Sequence, residues 1–323
     1  MSLPSVDEVG LHTVKEDFTH HQEGVARLNN QALGAIPKQV LDKVSQFRYE
    51  YYSNSDSIVY GGSLRDFSDA ARKAVIPILR RIKGGATYKH FKEQAEAKRN
   101  FKNINEDQLV FVEYTVTAFV TVLLRWAAAS KGKKVMILCD DLTYKPMLCA
   151  IQQHMTNAKV IKFKILGQEG TKEWMPSSHS EILRRLLPQV VKLGNNIDKD
   201  TYMFCLLTQV PCVPSMVCPV KDMLNTYRKY LPQIKESVID CAGSLGNVPG
   251  FDVLDLGDPD WVFMNLHKWT FSPASCCLMY AKSSELMKTT QHPIPGAEYH
   301  TGLVDYMEWP NRGDYSVIAT IQY

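Results

Sequence analysis

Residues 237–281 read SVIDCAGSLGNVPGFDVLDLGDPDWVFMNLHKWTFSPASCCLMYA, and this stretch decides the fold. It contains three short apolar runs with the length and residue types of buried strands: Ser237–Cys241, Trp261–Asn265 and Cys276–Ala281. The first run ends in the acidic residue Asp240, and Lys268 follows closely after the second. Strands that are apolar on both faces indicate a sheet covered by other elements on both sides.

The same rhythm extends back to residue 108. Four further runs predict strands at Leu109–Glu113, Val135–Asp140, Val160–Leu166 and Tyr202–Thr208. Helical spacing predicts helices at Pro37–Tyr52, Asp66–Ile82, Thr117–Ser130, Tyr144–Met155, Ser180–Leu193 and Val220–Tyr230. Strands alternating with helices predict an α/β fold with a mainly parallel seven-stranded sheet between helices. Ligands of such sheets bind at the carboxyl ends of the strands, so candidate site residues are sought there.

Composition excludes several classes of protein. The chain has 323 residues, of which 45% are hydrophobic and 22% charged, as in globular proteins rather than disordered ones. The net charge of +3 is not gathered into a basic block, which argues against a dedicated nucleic-acid binder. Thr201–Val220 is uncharged over 20 residues but contains three prolines, which would break a membrane-spanning helix. We expect a soluble protein.

Eight cysteines and the N-terminal residues bear on the cellular compartment. None of the cysteines forms a C-x-x-C pair, and most lie in apolar runs, which favours reduced core thiols over disulfides or a zinc site. The N-terminus has no apolar stretch typical of a signal peptide. His20 and His21 are adjacent, and adjacent side chains rarely converge on a metal without further ligands, so no metal is expected. These features favour a cytoplasmic protein.

The strand ends carry the candidate chemistry. A lysine that follows a buried strand, as Lys268 does, can act as a Schiff-base nucleophile toward an aldehyde. Asp240 lies 28 residues earlier at the end of the preceding strand, a spacing that brings two parallel strand ends side by side. A carboxylate facing a pyridine nitrogen makes pyridoxal 5′-phosphate (PLP) an effective electron sink. Thr115 and Thr117, at a helix N-terminus, could supply hydroxyl and N–H groups to a phosphate.

These residues resemble the class V aminotransferase family of PLP-dependent, fold type I enzymes. The likeness lies in D-C-A-G-S-L-G-N-V-P at residues 240–249 and in H-K-W at 267–269. Weaker matches are RLNNQALGAIPKQVL (27–41), LVFVEYTVTAFVTVL (109–123), DDLTYKPMLCAI (140–151), LLTQVPCVPSMVCPV (206–220) and EWPNRGDYSVIATIQY (308–323). The closest branch contains isopenicillin N epimerase-like proteins, hercynylcysteine sulfoxide lyases and cysteine desulfurase-like proteins.

The resemblance implies a role for each matching residue. Lys268 corresponds to the lysine that forms an aldimine with PLP, and Asp240 to the partner of the pyridinium nitrogen. Further cofactor contacts are implied for Thr115 and Thr117 at the phosphate, His267 beside it, Gln209 at the phenolic oxygen, Leu142 at the ring-stacking position and Arg312 as a phosphate ligand supplied across a dimer. A solvated loop arginine is an equally good reading of Arg312.

The chain also departs from the family pattern. Tyr114 stands where the family has an asparagine, Leu142 where a histidine or aromatic residue stacks on the ring, and Ser215 where the proline loop has a glycine. The family also continues into a small C-terminal domain that reads the substrate. The expected organisation is an N-terminal arm at 1–27, a large PLP-binding domain at 28–290 with a polar insertion near 83–107, and the start of a truncated small domain at 291–323.

Two functions remain open from the sequence. The resemblance implies a PLP-dependent homodimeric enzyme that acts on an amino acid, with C–S cleavage favoured over transamination. The alternative is a catalytically weak paralogue or isoform that keeps the scaffold for binding or assembly. The resemblance does not name the substrate.

Overall fold

The computed structural model describes residues 32–60, 63–80, 103–290, 316–319 and 321. The predicted N-terminal arm at 1–27, most of the insertion at 83–107 and Arg312 lie outside the described residues.

Seven strands form a single sheet, as the sequence predicts. Their bounds are β1 Leu109–Val112, β2 Val135–Asp140, β3 Ala158–Phe163, β4 Tyr202–Thr208, β5 Ile234–Asp240, β6 Trp261–Asn265 and β7 Cys277–Ala281. Their order across the sheet is β1-β7-β6-β5-β4-β2-β3. The five strands from β6 to β3 pair in parallel, and β7 runs antiparallel between β6 and β1. The mainly parallel α/β fold is therefore confirmed.

Helices connect the strands and cover the sheet. The described helices are α1 Lys38–Ser53, α2 Ser55–Tyr60, α3 Ser63–Leu79, α4 Thr115–Ala129, α5 Lys145–His154, α6 His179–Asn196, α7 Val220–Tyr230, α8 Ser284–Lys288 and α9 Ser316–Ala319. Local sequence sets several ends: Ser178 caps α6 by accepting a hydrogen bond from the Glu181 N–H, and Pro219 precedes α7. Each predicted helix is present, with bounds that differ by a few residues.

Alternating strand residues divide the core into two layers. In β4, Phe204 and Leu206 pack with α4 and α5, on what we call the α4 face of the sheet. Met203, Cys205 and Leu207 point the other way and pack with α6 and α7, on what we call the α7 face. Because successive side chains of a strand point to opposite faces, each strand contributes to both layers. This alternation explains the apolar runs in the sequence.

The same alternation decides which strand-end side chains meet. Asp240 follows Ile239, which packs on the α7 face, so Asp240 belongs to the α4 face. By the same parity Thr208 and Asn265 are also on the α4 face, at the carboxyl ends of β4 and β6. Three polar side chains from neighbouring strands therefore converge at one edge of the sheet.

The described parts of the N-terminal and C-terminal segments pack together. Helix α9 contacts α1 and α3, and Val317 and Ile318 are buried in the core layer of the α7 face.

The end of the predicted insertion is also part of the fold. Ile104 is buried in that same layer, and Asn105 is the N-cap of the 3-10 helix Glu106–Gln108.

The structure bears on the predictions from cysteine content and hydropathy. All eight cysteines are free, and six of them are buried, while Cys149 and Cys212 are exposed. Within the described ranges no helix is long and apolar enough to cross a membrane. The same residues contain no group of three or more His, Cys, Asp or Glu side chains that could hold a metal ion.

Asp140, at the end of β2, is a fully buried carboxyl on the α7 face. Its Oδ1 accepts hydrogen bonds from the Leu142 N–H at 3.0 Å and the Thr143 hydroxyl at 3.2 Å, whereas its Oδ2 has no partner. Burial raises the pKa of Asp140 to about 7, against the opposing effect of these hydrogen bonds. The folded protein therefore keeps a proton on Asp140 that the unfolded chain releases near pH 4.

This linkage predicts how stability depends on pH. A carboxyl with a raised pKa favours the folded state below about pH 4, and that contribution is lost as the pH rises toward 7. Asp140→Asn keeps the side-chain shape and removes the titration. Between pH 4.5 and 7.5 its free energy of unfolding should fall by about 1–4 kcal/mol less than that of the wild type, as measured by urea unfolding. Equal slopes for the two proteins would contradict this assignment.

Candidate active site

A cavity of about 960 Å³ lies at the carboxyl edge of the sheet. It is lined by strand-end residues, by the first residues of α4 and α5, and by the loop after β4. Its polar and charged lining residues include Thr115, Thr117, Asp141, Lys145, Thr208, Asp240, Asn265, His267 and Lys268. This is the position at which open α/β sheets bind ligands.

Lys268 lies in the turn that follows β6. The turn is fixed by backbone hydrogen bonds, from Leu266 N–H to the Cys276 carbonyl at 2.9 Å and from Gly34 N–H to the His267 carbonyl at 2.7 Å. Lys268 is only 8% exposed, yet among the described residues its side chain has no hydrogen-bond partner. A buried amine without a partner, on a rigid turn, is well placed to react with a ligand in the cavity.

Asp240 faces the same cavity and is 4% exposed. Its Oδ1 accepts a hydrogen bond from the Ala242 N–H at 2.9 Å. Burial raises the pKa of Asp240, and the Ala242 N–H and the positive charge of Lys268 act in the opposite direction. The two charged side chains therefore interact across one cavity, and a cationic ligand group beside Asp240 would further favour its ionised form.

The N-terminus of α4 supplies backbone donors. The Thr115 N–H donates to Asn265 Oδ1 at 3.3 Å, which ties the helix to the end of β6. Tyr114, the N-cap residue, provides no side-chain cap, and the first turn has no acidic residue. In the described part of the chain the N–H groups of Val116 and Thr117 have no hydrogen-bond partner. Such a helix N-terminus, lining a cavity, suits a phosphate.

His267 lies next to this helix. Its Nδ1 is 3.2 Å from the Cys276 carbonyl, so the proton is assigned to Nδ1, and Nε2 carries the lone pair of the neutral ring. The Tyr114 ring packs edge-on against it at 5.9 Å, and the Tyr114 hydroxyl is 2.7 Å from Ser275 Oγ. Burial lowers the pKa of His267, with the Lys268 charge adding to the effect, so the imidazole is neutral at pH 7.

The structure brings most of the sequence-predicted site residues together. Those lining the cavity are Thr115, Thr117, Leu142, Asp240, His267 and Lys268. Gln209 is not among the lining residues, because it follows Thr208 and therefore points to the α7 face, where its Oε1 accepts from Cys241 Sγ at 3.3 Å. Thr208 takes its place in the cavity, one residue earlier.

The cavity lining also includes residues that the sequence did not predict, among them Thr208, Asn265 and Lys145. Thr208 and Asn265 could have been found by strand parity, since each is an even number of residues from an apolar residue of the α4 face. Lys145 begins α5 directly after the predicted ring-stacking segment. The predicted helix Tyr144–Met155 places Lys145 near the strand end, but the sequence does not show that Lys145 lines the cavity.

Comparison with known proteins gives distant relatives over nearly the whole chain. No protein-family profile matches. The chain is 24% identical over 306 residues to an L-cysteine desulfhydrase of Arabidopsis thaliana and 25% identical over 310 residues to a putative L-cysteine desulfhydrase of Oryza sativa subsp. japonica. Each match covers 94% of this chain and 60% or 57% of the relative. A hercynylcysteine sulfoxide lyase of Schizosaccharomyces pombe is 33% identical over 114 residues, which are 31% of this chain and 28% of that protein.

Solved structures show the same fold. A cysteine desulfurase from Thermococcus onnurineus in its apo form superimposes with a TM-score of 0.65 at 15% identity, covering 100% of this chain and 70% of that one. A lysine-to-alanine variant of C-DES, with glycine covalently linked to its PLP cofactor, gives 0.63 at 15% identity over 95% and 73% of the two chains. Both neighbours have fold type I.

The fold and the cavity therefore define an α/β protein of fold type I, built around a buried lysine and a buried aspartate. The relatives confirm the resemblance of the chain to the class V aminotransferase family, in the branch of cysteine desulfhydrases and desulfurases. The chain spans about 60% of the length of the desulfhydrases that it matches.

The backbone of Gly34 packs closely against the backbone of Lys268. A Cβ atom at residue 34 would lie 2.0 Å from the Lys268 carbonyl oxygen and 3.1 Å from that of His267. We expect Gly34→Ala to push the two segments apart and lower the free energy of unfolding by about 1–3 kcal/mol. Urea unfolding measures this, with Leu33→Ala as a control at an exposed neighbour. A Gly34→Ala protein as stable as the wild type would show that this close approach is not required.

Proposed function

We propose that this chain binds PLP and catalyses C–S bond cleavage in cysteine or a similar amino acid. The observation that carries the proposal is the meeting of Lys268 and Asp240 in one cavity beside the N-terminus of α4. The kinship to L-cysteine desulfhydrases supports the choice of reaction. The activity of the relatives belongs to longer chains, so it is proposed for this one rather than carried over.

The residues of the cavity fit PLP. The uncapped N-terminus of α4, with Thr115 and Thr117, would hold the phosphate, and Asp240 would pair with the ring nitrogen. The Thr208 hydroxyl is buried without a partner at the cavity wall, and it would take the role predicted for Gln209 at the phenolic oxygen. Leu142 would contact the ring through apolar packing. When bound, PLP withdraws electrons from the Cα atom of an attached amino acid.

Lys268 would have two tasks. Its amine would hold the aldehyde group of the cofactor, and it would also accept the proton from the substrate Cα. Burial on the turn after β6 keeps the amine near that proton and excludes water from it. Asp240 would keep the ring nitrogen protonated, because a ring cation, like Lys268, would favour the ionised carboxylate against the burial that raises the pKa of Asp240.

The overall reaction proposed is the conversion of cysteine and water to pyruvate, ammonia and hydrogen sulfide. The Cα–H and Cβ–S bonds break, the sulfur leaves as sulfide, and water replaces the amino nitrogen. No electron acceptor is needed, because the amino acid carbon is rearranged without net oxidation. We also propose that the protein is a cytoplasmic homodimer in which Arg312 reaches the phosphate of the partner subunit. The family resemblance supports this part.

The proposed function predicts that the chain binds PLP and releases sulfide, and that both properties are lost when Lys268 is replaced. Purified chain given PLP should turn yellow and release sulfide from L-cysteine, measured by methylene blue formation. Lys268→Ala should lose the yellow band and at least about 100-fold of the sulfide release, since it removes both the tether and the base. Lys199→Ala, at an exposed lysine outside the cavity, is the matched control.

The outcome separates the two functions that the sequence left open. Sulfide release that depends on PLP and on Lys268 supports the enzyme. A wild-type chain that stays colourless with excess PLP, while its folded state is intact by circular dichroism, would overturn the proposal and favour the scaffold.

A further inference from the structure

The cavity contains one basic residue for which the proposed function has no task. An amino-acid substrate brings an α-carboxylate as well as an amine, and a carboxylate entering a partly buried site needs a positive partner. The basic residues that line the cavity are His267, Lys268 and Lys145. This inference rests on the proposed function and concerns the residue that would bind the α-carboxylate of the substrate.

Two of the three basic residues are not available to a substrate carboxylate. Lys268 would hold the cofactor and move the Cα proton. His267 is neutral at pH 7, because burial lowers its pKa, and its Nδ1 proton goes to the Cys276 carbonyl. Within the described lining, this leaves Lys145 as the cation available to a substrate carboxylate.

Lys145 is the first residue of α5, a helix of ten residues whose N-terminus opens on the cavity. The N-cap residue Tyr144 makes no side-chain cap, and the first turn holds no acidic residue. In the described part of the chain the Lys145 N–H has no hydrogen-bond partner. The ammonium group, the free N–H and the positive end of the helix dipole thus coincide at one residue.

The acidic lining residue Asp141 forms no ion pair with Lys145 and is held by backbone N–H groups. Asp141 uses both carboxylate oxygens, Oδ1 accepting from the Ile165 N–H at 2.9 Å and Oδ2 from the Leu166 N–H at 3.1 Å. Lys145 takes part in no ion pair among the described residues. Its charge therefore remains available to the cavity.

A buried hydroxyl shows that this cavity is built for a polar ligand. The Thr208 hydroxyl is 2% exposed, lines the same cavity and has no hydrogen-bond partner. An unsatisfied buried hydroxyl costs free energy unless a ligand atom meets it. The phenolic oxygen of PLP would meet this hydroxyl, so Lys145 at α5 is left for the substrate.

From these contacts we propose that Lys145, through its ammonium and its backbone N–H, binds the α-carboxylate of the substrate. It is a specificity-determining residue that selects amino acids over simple amines. The exposed, flexible lysine stem suits an entering carboxylate, since it can follow the substrate into the cavity.

The test compares two ligands that differ only in the carboxylate. L-Alanine has no leaving group, and ethylamine is alanine without its carboxylate. Both are titrated into the PLP-loaded full chain, and the absorbance change of the bound PLP gives two dissociation constants. Lys145→Ala should weaken L-alanine about 10- to 100-fold and leave ethylamine unchanged, as expected for the loss of one charge-assisted hydrogen bond. Lys145→Arg should retain most of the preference.

Lys159→Ala is the control, since Lys159 is an exposed lysine of β3 that does not line the cavity. Its two dissociation constants should match those of the wild type. A Lys145→Ala chain that keeps the wild-type preference for L-alanine over ethylamine, or that loses affinity for both ligands equally, would overturn the role of Lys145 while leaving the proposed function in place. A wild-type chain that takes up no PLP would overturn both.

Discussion

The structure depends on the burial of a lysine and an aspartate that interact across one cavity. Asp240 and Lys268 are each less than 10% exposed, and the positive charge of Lys268 opposes the burial that raises the pKa of Asp240. The parallel pairing of β5 with β6 brings the two strand ends together. Most of the other features of the site serve to hold these two groups: the tight turn after β6, the close approach of Gly34 and the Ala242 N–H on the carboxylate.

Much of the fold could be predicted from the sequence, because both faces of the sheet are buried and apolar runs mark its strands. The period of two along β4 and β5 also determines which side chains face α4. Gln209 was placed in the site by resemblance, whereas strand parity puts Thr208 there and turns Gln209 toward Cys241. The positions of Lys268 and Asp240 were predictable because each directly follows a recognisable strand.

Other parts of the site depend on contacts that a sequence does not reveal. The predicted strand end at Asp140 and helix start at Tyr144 place Lys145 at the carboxyl edge of the sheet, but they do not show that its side chain lines the cavity. Asp140 illustrates the same point, because the largest cause of its raised pKa, about 7, is burial on the α7 face. The roles of Arg312 and of the segments outside the described residues stay predictions of the family resemblance.

Two amines line the cavity, and the account assigns them opposite tasks: Lys268 to the cofactor and Lys145 to the substrate carboxylate. The most direct measurement is therefore to add PLP, reduce with borohydride, digest the protein and locate the pyridoxyl group by mass spectrometry. The account predicts the group on Lys268, in a peptide that contains His267 and Trp269. A pyridoxyl group on Lys145, or its absence from every cavity peptide, would contradict the central claim.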